Sequence, residues 1–350
     1  MHSSILLGLW VSISFIIYKI VSSIITSRRH AANTRRLGCL PASKFSDQMQ
    51  LDIFNIRTAA RIGQADIERC VPQYIQSRVH NACEVEGKTV STFYANFMGS
   101  ECIFIVEPRN IQAILATQFK DFGLGELRNK SFSPLLGGDI FSSDGEQSSH
   151  ARTLLRPQFA RDQVGDLDLN KQHVQHMMRA LSINSNGWTD VTDLQRLFFR
   201  LTLDSATEFL FGEVRSRDTT LPVGGPDGTA SVYLKKGMQA EYSVYAMHRR
   251  KDLWGEDADE FRPERFEGRK GGWEFLSFNG GPRICMGQQF ALTEAGFAIV
   301  RMVQRFEEIE GVGNSWEPVE RGGCGYTRHA ASLSACPADS VKVRMKEAKE

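Results

Sequence analysis

The sequence predicts a mainly helical domain with small β-sheets, preceded by a single N-terminal transmembrane helix. Three observations carry this reading. The chain opens with an almost wholly apolar or small run over residues 5–25, broken only by Lys19. Later segments repeat apolar residues at helical spacing, the longest from about Met286 to Phe306. Between them lie short β-rich runs bounded by glycine turns.

From Ile5 to Ile25 every residue is apolar or small except Tyr18 and Lys19. As a helix, that length crosses a bilayer core of roughly 30 Å. Lys19 lies toward one end, where a long side chain can reach the interface. Arg28, Arg29, Arg35 and Arg36 follow, and the positive-inside tendency keeps them and the bulk of the chain in the cytosol. A cleaved signal peptide is the competing reading, disfavoured by the length of the run and the missing A-x-A-like site. The predicted organisation is an anchor over residues 1–27, a polar linker over 28–46 and one domain over 47–350.

Within the domain, Val90–Met98 and Cys102–Val106 are β-rich, and Gly99-Ser100 between them suits a hairpin turn. Pro108, tolerated in a first turn, opens a helix through Ala116. Two more helices are predicted over Ser148–Ala160 and Leu169–Leu181. Leu194, Leu197, Phe198, Leu201, Ser205 and Phe209 recur at helical spacing, with Gly212 as the stop. Such a stripe reads as core packing rather than a cofactor contact. After a turn-rich stretch over residues 218–228, Ala230–Leu234 and Gln239–Ala246 flank a Lys-Lys-Gly turn as a second predicted hairpin. A polar segment containing Phe261–Phe266 (FRPERF), a glycine-rich loop and the long helix complete the order, and Ala331–Val343 has strand character.

Composition narrows the classes. The 350 residues are 41% hydrophobic and 24% charged, enough for a real core, and the formal net charge of +1 gives no hint of a polyanion partner such as nucleic acid. The seven cysteines are odd in number, scattered and free of any C-x-x-C pair. That argues against a disulfide framework or a four-cysteine zinc site and for a reducing, cytosol-facing location.

One loop stands apart. Residues 278–287, FNGGPRICMG, match F-x-x-G-x-R-x-C-x-G at every defined position: Phe278, Gly281, Arg283, Cys285 and Gly287. The pattern resembles the cysteine-ligand loop of the cytochrome P-450 family, and each position has a physical reason. A thiolate from Cys285 would push electron density onto haem iron. The free N–H groups of the helix that follows stabilise such an anion. Gly281 and Gly287 let the backbone turn tightly and approach a macrocycle. Arg283 suits a haem propionate, and Phe278 suits shielding of the sulfur. The competing reading, a structural cysteine in a glycine-rich loop, would hold for an isolated Gly and Cys but not for the full pattern.

Other segments extend the resemblance. FRPERF is similar to the family segment that precedes the loop, with Arg265 matching an arginine that joins a glutamate–arginine pair; alone it would read as a surface ion pair. His150-Ala151-Arg152 and LLRPQFAR (Leu154–Arg161) resemble the helix whose basic residues hold the other propionate. The family's tryptophan is Ser148 here, and His150 and Arg152 suit a solvated helix face equally well. The strings AILATQFKDFGLG (Ala113–Gly125), DSATEFLFGE (Asp204–Glu213) and YSVYAMHRRKDLWG (Tyr242–Gly255) are similar to fungal enzymes that hydroxylate the terminal carbon of alkanes and fatty acids.

The chain also departs from the family. It contains no E-x-x-R and no A-G-x-[DE]-T string, so no catalytic acid–threonine pair is identified. It jumps from the family's front third to its back third near Glu213–Val214, which implies an incomplete cytochrome P-450 fold lacking the distal pocket wall and exposing apolar helix surface. What the resemblance implies is a haem b monooxygenase of the endoplasmic reticulum membrane, served by NADPH-cytochrome P-450 reductase and acting on apolar small molecules that partition into membrane lipid. A second reading is a catalytically inactive, membrane-anchored remnant, or the product of a wrongly assembled reading frame, with weak haem binding or none. A third, ranked last, is a peroxide-rearranging haem-thiolate enzyme.

Overall fold

The computed structural model describes residues 2–44, 56–97, 100–136, 140–159, 171, 174–175, 177–202, 213–215, 219–225, 228–269, 271–313, 329–331 and 335–348. Helix α1 (His2–Arg36) is 35 residues long and continues past residue 27, where the anchor was expected to give way to the linker. Its apolar side chains Trp10, Ile17, Tyr18, Val21, Ile24 and Ile25 are exposed. Among the described residues no helix is long and apolar enough to cross a membrane; the side chains of many residues in the 5–25 run lie outside that description. The end of α1 docks on the domain: Asn33 Nδ2 donates to Tyr233 Oη at 3.4 Å, and His30 Nδ1 lies 3.3 Å from the same oxygen.

Strand β1 (Ser43–Lys44) is followed by α2 (Ile56–Ile67) and α3 (Val71–Glu86), which carries a proline in its first turn. Strands β2 (Thr92–Phe97) and β3 (Ser100–Ile105) pair antiparallel from Phe97↔Ser100 to Thr92↔Ile105, the first expected hairpin. Helix α4 (Pro108–Gln112) runs into a π-helical turn, Ala113–Thr117, so the segment predicted from Pro108 is helical but widens at its end. Ile111, Ile114 and Leu115 there are fully buried. Strand β4 (Phe122–Gly123), α5 (Glu126–Leu136) and α6 (Gly145–Leu155) follow, with a 3-10 turn over Arg156–Phe159. Of the helix expected over 169–181 only part is described; Val174, Met177, Met178 and Leu181 are buried.

Next come β5 (Thr192–Asp193) and α7 (Leu194–Thr202); Ser205, Phe209 and Gly212 of the predicted stripe lie outside the described residues. Strands β6 (Glu213–Arg215), β7 (Thr219–Leu221), β8 (Val232–Leu234) and β9 (Gln239–Tyr242) precede two short helices, α8 (Val244–Met247) and α9 (Lys251–Trp254). The long helix α10 spans Gln288–Arg305, and β10 (Phe306–Gly311), β11 (His329–Ala331), β12 (Ala335–Pro337) and β13 (Lys342–Glu347) end the order. The largest sheet has the order β1-β2-β3-β9-β6-β4, and a three-stranded one has β10-β13-β5. Helices with small sheets are the predicted class.

The second predicted hairpin is corrected. The turn exists, with Met238 N–H donating to Lys235 C=O at 3.1 Å and Gly237 at φ 84°. Its two strands separate: β8 pairs with β7, while β9 lies parallel to β3 and antiparallel to β6. Ala240 of β9 is fully buried with Ile103 and Ile105 of β3, and that distant apolar partner wins over the local one. Past Tyr242 the chain turns helical because Ser243 Oγ accepts the Ala246 N–H at 3.2 Å, an N-cap.

Two cores result. One gathers Phe93, Ile105, Ile114, Leu115, Leu234 and Met247; the other gathers Met177, Ala298, Met302, Phe306 and Met345. The glycine-rich loop joins them, because Leu276 belongs to the first core and Ala298 of α10 to the second. The opposite face of α10 is bare: Leu292 is 49% exposed, Ile299 56%, Val300 53% and Val303 66%.

Candidate functional site

The loop is fastened at its base before it reaches the cysteine. Leu276 N–H donates to His248 Nε2 at 2.9 Å, and the His248 ring stacks on Phe275 with centroids 5.0 Å apart. Burial, helped by the Arg249 charge, pushes the His248 pKa down to about 4, so the ring is neutral and Nε2 is free to accept. Trp254 and Phe266 pack around Phe275. Arg265 stands beneath, donating to the carbonyls of Trp254, Asp257, Glu260 and Arg262. It therefore ties the FRPERF turn to the α9 end, and among the described residues the carboxylate it faces is Asp257, at 3.5 Å, rather than a glutamate of an upstream helix.

Above this base the chain reverses. Asn279, at φ 63°, accepts the Gly280 N–H with its own Oδ1 at 3.0 Å. Gly281 has φ +62°, and an added Cβ would overlap the Leu115 carbonyl, lying 2.6 Å from its carbon. Only glycine lets the loop rest on the π-helical turn there. Cys285 N–H then donates to Phe278 C=O at 3.0 Å, closing a neck between the first and eighth residues of the motif. Its thiol is in no disulfide and is half-buried. Gly287 is the N-cap of α10, so Cys285 stands just ahead of the helix N-terminus, where unpaired N–H groups favour an anion.

The predicted basic residues divide. Arg152 Nη2 donates to Ile284 C=O at 2.5 Å, which brings α6 against the residue next to Cys285. Arg283 Nη2 pairs with Asp144 Oδ1 at 2.7 Å, and its guanidinium lies over the Phe119 ring at 5.2 Å. His150 is exposed; two residues from Arg152 on a helix, it points about 200° away from the face that meets the loop. Phe278, Gly281, Arg283, Cys285, Gly287 and Arg152 are thus assembled, and His150 is left outside.

Sequence reasoning missed Phe159 and Asp144. A Cβ on Gly287 would lie 3.3 Å from Phe159 Cε1 and 3.9 Å from Cys285 Sγ, so the Phe159 ring shares the space beside the thiol. Phe159 lies in the string LLRPQFAR, where nothing local distinguishes this phenylalanine from its neighbours. As a donor set, one soft sulfur at a helix N-terminus with one guanidinium from its own loop and one from α6 suits an iron porphyrin bearing two carboxylates. The residues fit the group, with Arg152 and Arg283 already engaged by protein acceptors.

Comparison with known proteins agrees. A family profile described as Cytochrome P-450 matches residues 227–326. The chain is 30% identical over 529 residues to cytochrome P-450 monooxygenase g430 of a Fusarium species, covering 96% of this chain and 90% of that protein. It is 27% identical over 420 residues to cytochrome P-450 52A3-B of Candida maltosa, covering 65% of this chain and 80% of the relative. The first alignment is longer than the whole chain of 350 residues, so it opens a long gap here. The fold is similar to the haem domain of cytochrome P-450DA at a TM-score of 0.65 and 13% identity, over 89% of this chain and 97% of that one.

Proposed function

Since the chain belongs to the cytochrome P-450 monooxygenases, oxidoreductases whose cofactor is haem b on a cysteine thiolate, we propose that Cys285 is the axial ligand of this chain. The reaction class is insertion of one atom of O₂ into a C–H bond of a long-chain alkane or fatty acid. When bound, haem supplies the oxygen chemistry, with electrons from a separate NADPH-dependent flavoprotein reductase. The chain's residues do the rest. The α10 N-terminus holds the sulfur as an anion, Arg152 and Arg283 supply cationic charge toward the propionates, and Phe159 and Phe278 keep water from the sulfur. The single observation that carries this is the position of the Cys285 thiol, outside any disulfide, at the mouth of α10 on a loop seated through Gly281. The substrate class is supported by the resemblance of residues 113–125, 204–213 and 242–255 to fungal terminal hydroxylases.

The same reading makes residues 5–25 a membrane anchor with the domain in the cytosol, at the endoplasmic reticulum. The exposed apolar side chains of α1 support it, since water leaves such a stripe without a partner. A second reading, an inactive remnant, is favoured by two observations: the bare apolar face of α10 and the long gap in the alignment. Both suit the loss of a block near Glu213–Val214 that would cover that face.

A carbon monoxide difference spectrum of the reduced, haem-reconstituted chain separates the two. The monooxygenase reading expects a thiolate-type Soret band that vanishes in Cys285→Ala. A band that survives that substitution refutes the ligand, and no band at all favours the remnant. Transcript sequencing across residues 203–214 shows whether the message restores the block.

A further inference from the structure

We infer that Asp144 is the positioning residue of the cysteine loop, holding Arg283 in place and the loop against α6; this rests on the reading of Cys285 as haem ligand. Two partners from different parts of the chain meet at one carboxylate. Oδ1 takes the Arg283 Nη2 donor at 2.7 Å. Both oxygens accept the Leu124 N–H of the segment after β4 at 2.9 Å. By backbone position, with no side-chain cap bond, Asp144 is also the N-cap residue of α6, the helix that carries Arg152 to the Ile284 carbonyl. The fit is close, since a Cβ on Gly123 would lie 3.0 Å from Asp144 Oδ2.

The pair is not a loose surface contact. The Arg283 side chain is 11% exposed and Asp144 32%, so solvent screens it less than an open ion pair. Arg283 ends the 3-10 turn of Gly281–Arg283, two residues before the cysteine. A carboxylate that fixes its guanidinium therefore fixes the loop's height above α6 and the charge that Arg283 can offer to a porphyrin carboxylate. Outer contacts of this kind orient the groups that meet a metal centre. Removing one leaves the ligand present but wrongly held.

Asp144→Asn in the full chain tests this, because Asn keeps an acceptor for Leu124 N–H and loses the charge facing Arg283. Hemin titration should show affinity lower by about tenfold or more, with a smaller thiolate fraction in the carbon monoxide spectrum and recovery in Asp144→Glu. Hydrogen exchange of the haem-free chain should rise across residues 278–287 while Leu124 stays protected. If Asp144→Asn does not fold, Arg283→Gln breaks the same pair from the loop side and should raise the same exchange. Unchanged or tighter hemin binding with unchanged loop exchange overturns the inference, as does a rise confined to residues 144–148. Absence of any thiolate signal in the parent, with the exchange response intact, instead sinks the haem reading and leaves the clamp.

Discussion

Gly281→Ala is the sharpest test of how the cysteine loop is held. Two effects add at that position. Its φ of +62° lies in the left-handed region, which costs an L-residue with a Cβ about 1–2 kcal/mol. The new methyl would also lie 2.6 Å from the Leu115 carbonyl carbon. Leu115 is fully buried in the first core, so the π-helical turn cannot yield cheaply, and such overpacking costs about 1–3 kcal/mol. Together the loss is about 2–5 kcal/mol, a large share of the roughly 5–15 kcal/mol that holds a domain folded. Gly287→Ala is the control. Its φ is −82°, and the nearest neighbour of an added Cβ is the edge of Phe159 at 3.3 Å, a ring 36% exposed and able to swing. Less than about 1 kcal/mol is expected there. Urea denaturation of the detergent-solubilised chain, followed by tryptophan fluorescence, measures both. The reasoning fails if Gly281→Ala stays within about 1 kcal/mol of the parent, or if Gly287→Ala is the worse of the two.

Two further outcomes follow from burial. His248 is held neutral, its pKa falling from 6.5 to about 4, so the unfolded chain binds the extra proton between those values. Its contribution is full above pH about 6.5, declines as pH falls toward about 4, and totals about 3 kcal/mol. His248→Gln should flatten that part of the stability-versus-pH curve; an unaltered slope would show that His248 does not cause it. On α10, Ile299 and Val303 are 56% and 66% exposed, so Ile299→Glu with Val303→Lys should change stability by less than about 1 kcal/mol and reduce self-association in gel filtration. A loss of about 2 kcal/mol or more would mean that this face is covered in solution.

Particular elements show where reading the chain succeeded. The β2–β3 hairpin and the helix opened by Pro108 rest on turn and cap chemistry within a few residues, and both are present. So is the long helix after the cysteine. The β8–β9 hairpin failed because a good turn does not choose strand partners; β9 found its partner in β3, more than a hundred residues away. The site divides the same way. Gly281 was legible as a position needing glycine, but its reason, the Leu115 carbonyl, comes from another part of the chain. His150 and Arg152 were inseparable as neighbours in a string, and only the docking of α6 on Ile284 distinguishes them.

By itself the sequence determined the cysteine-bearing loop, the tight turn at Gly281 and the helix behind it, because turn geometry and helix termini are short-range and leave their residues adjacent in the chain; at Gly287, φ −82° asks for no glycine. The apolar run at residues 5–25 is local in the same sense. Tertiary structure alone decided that Arg283 faces Asp144, that Phe159 shares the thiol's surroundings, that Arg265 closes its turn on backbone carbonyls, and that one face of α10 lies bare. Those contacts join residues far apart in sequence, and they are chosen by burial and charge pairing in the folded chain.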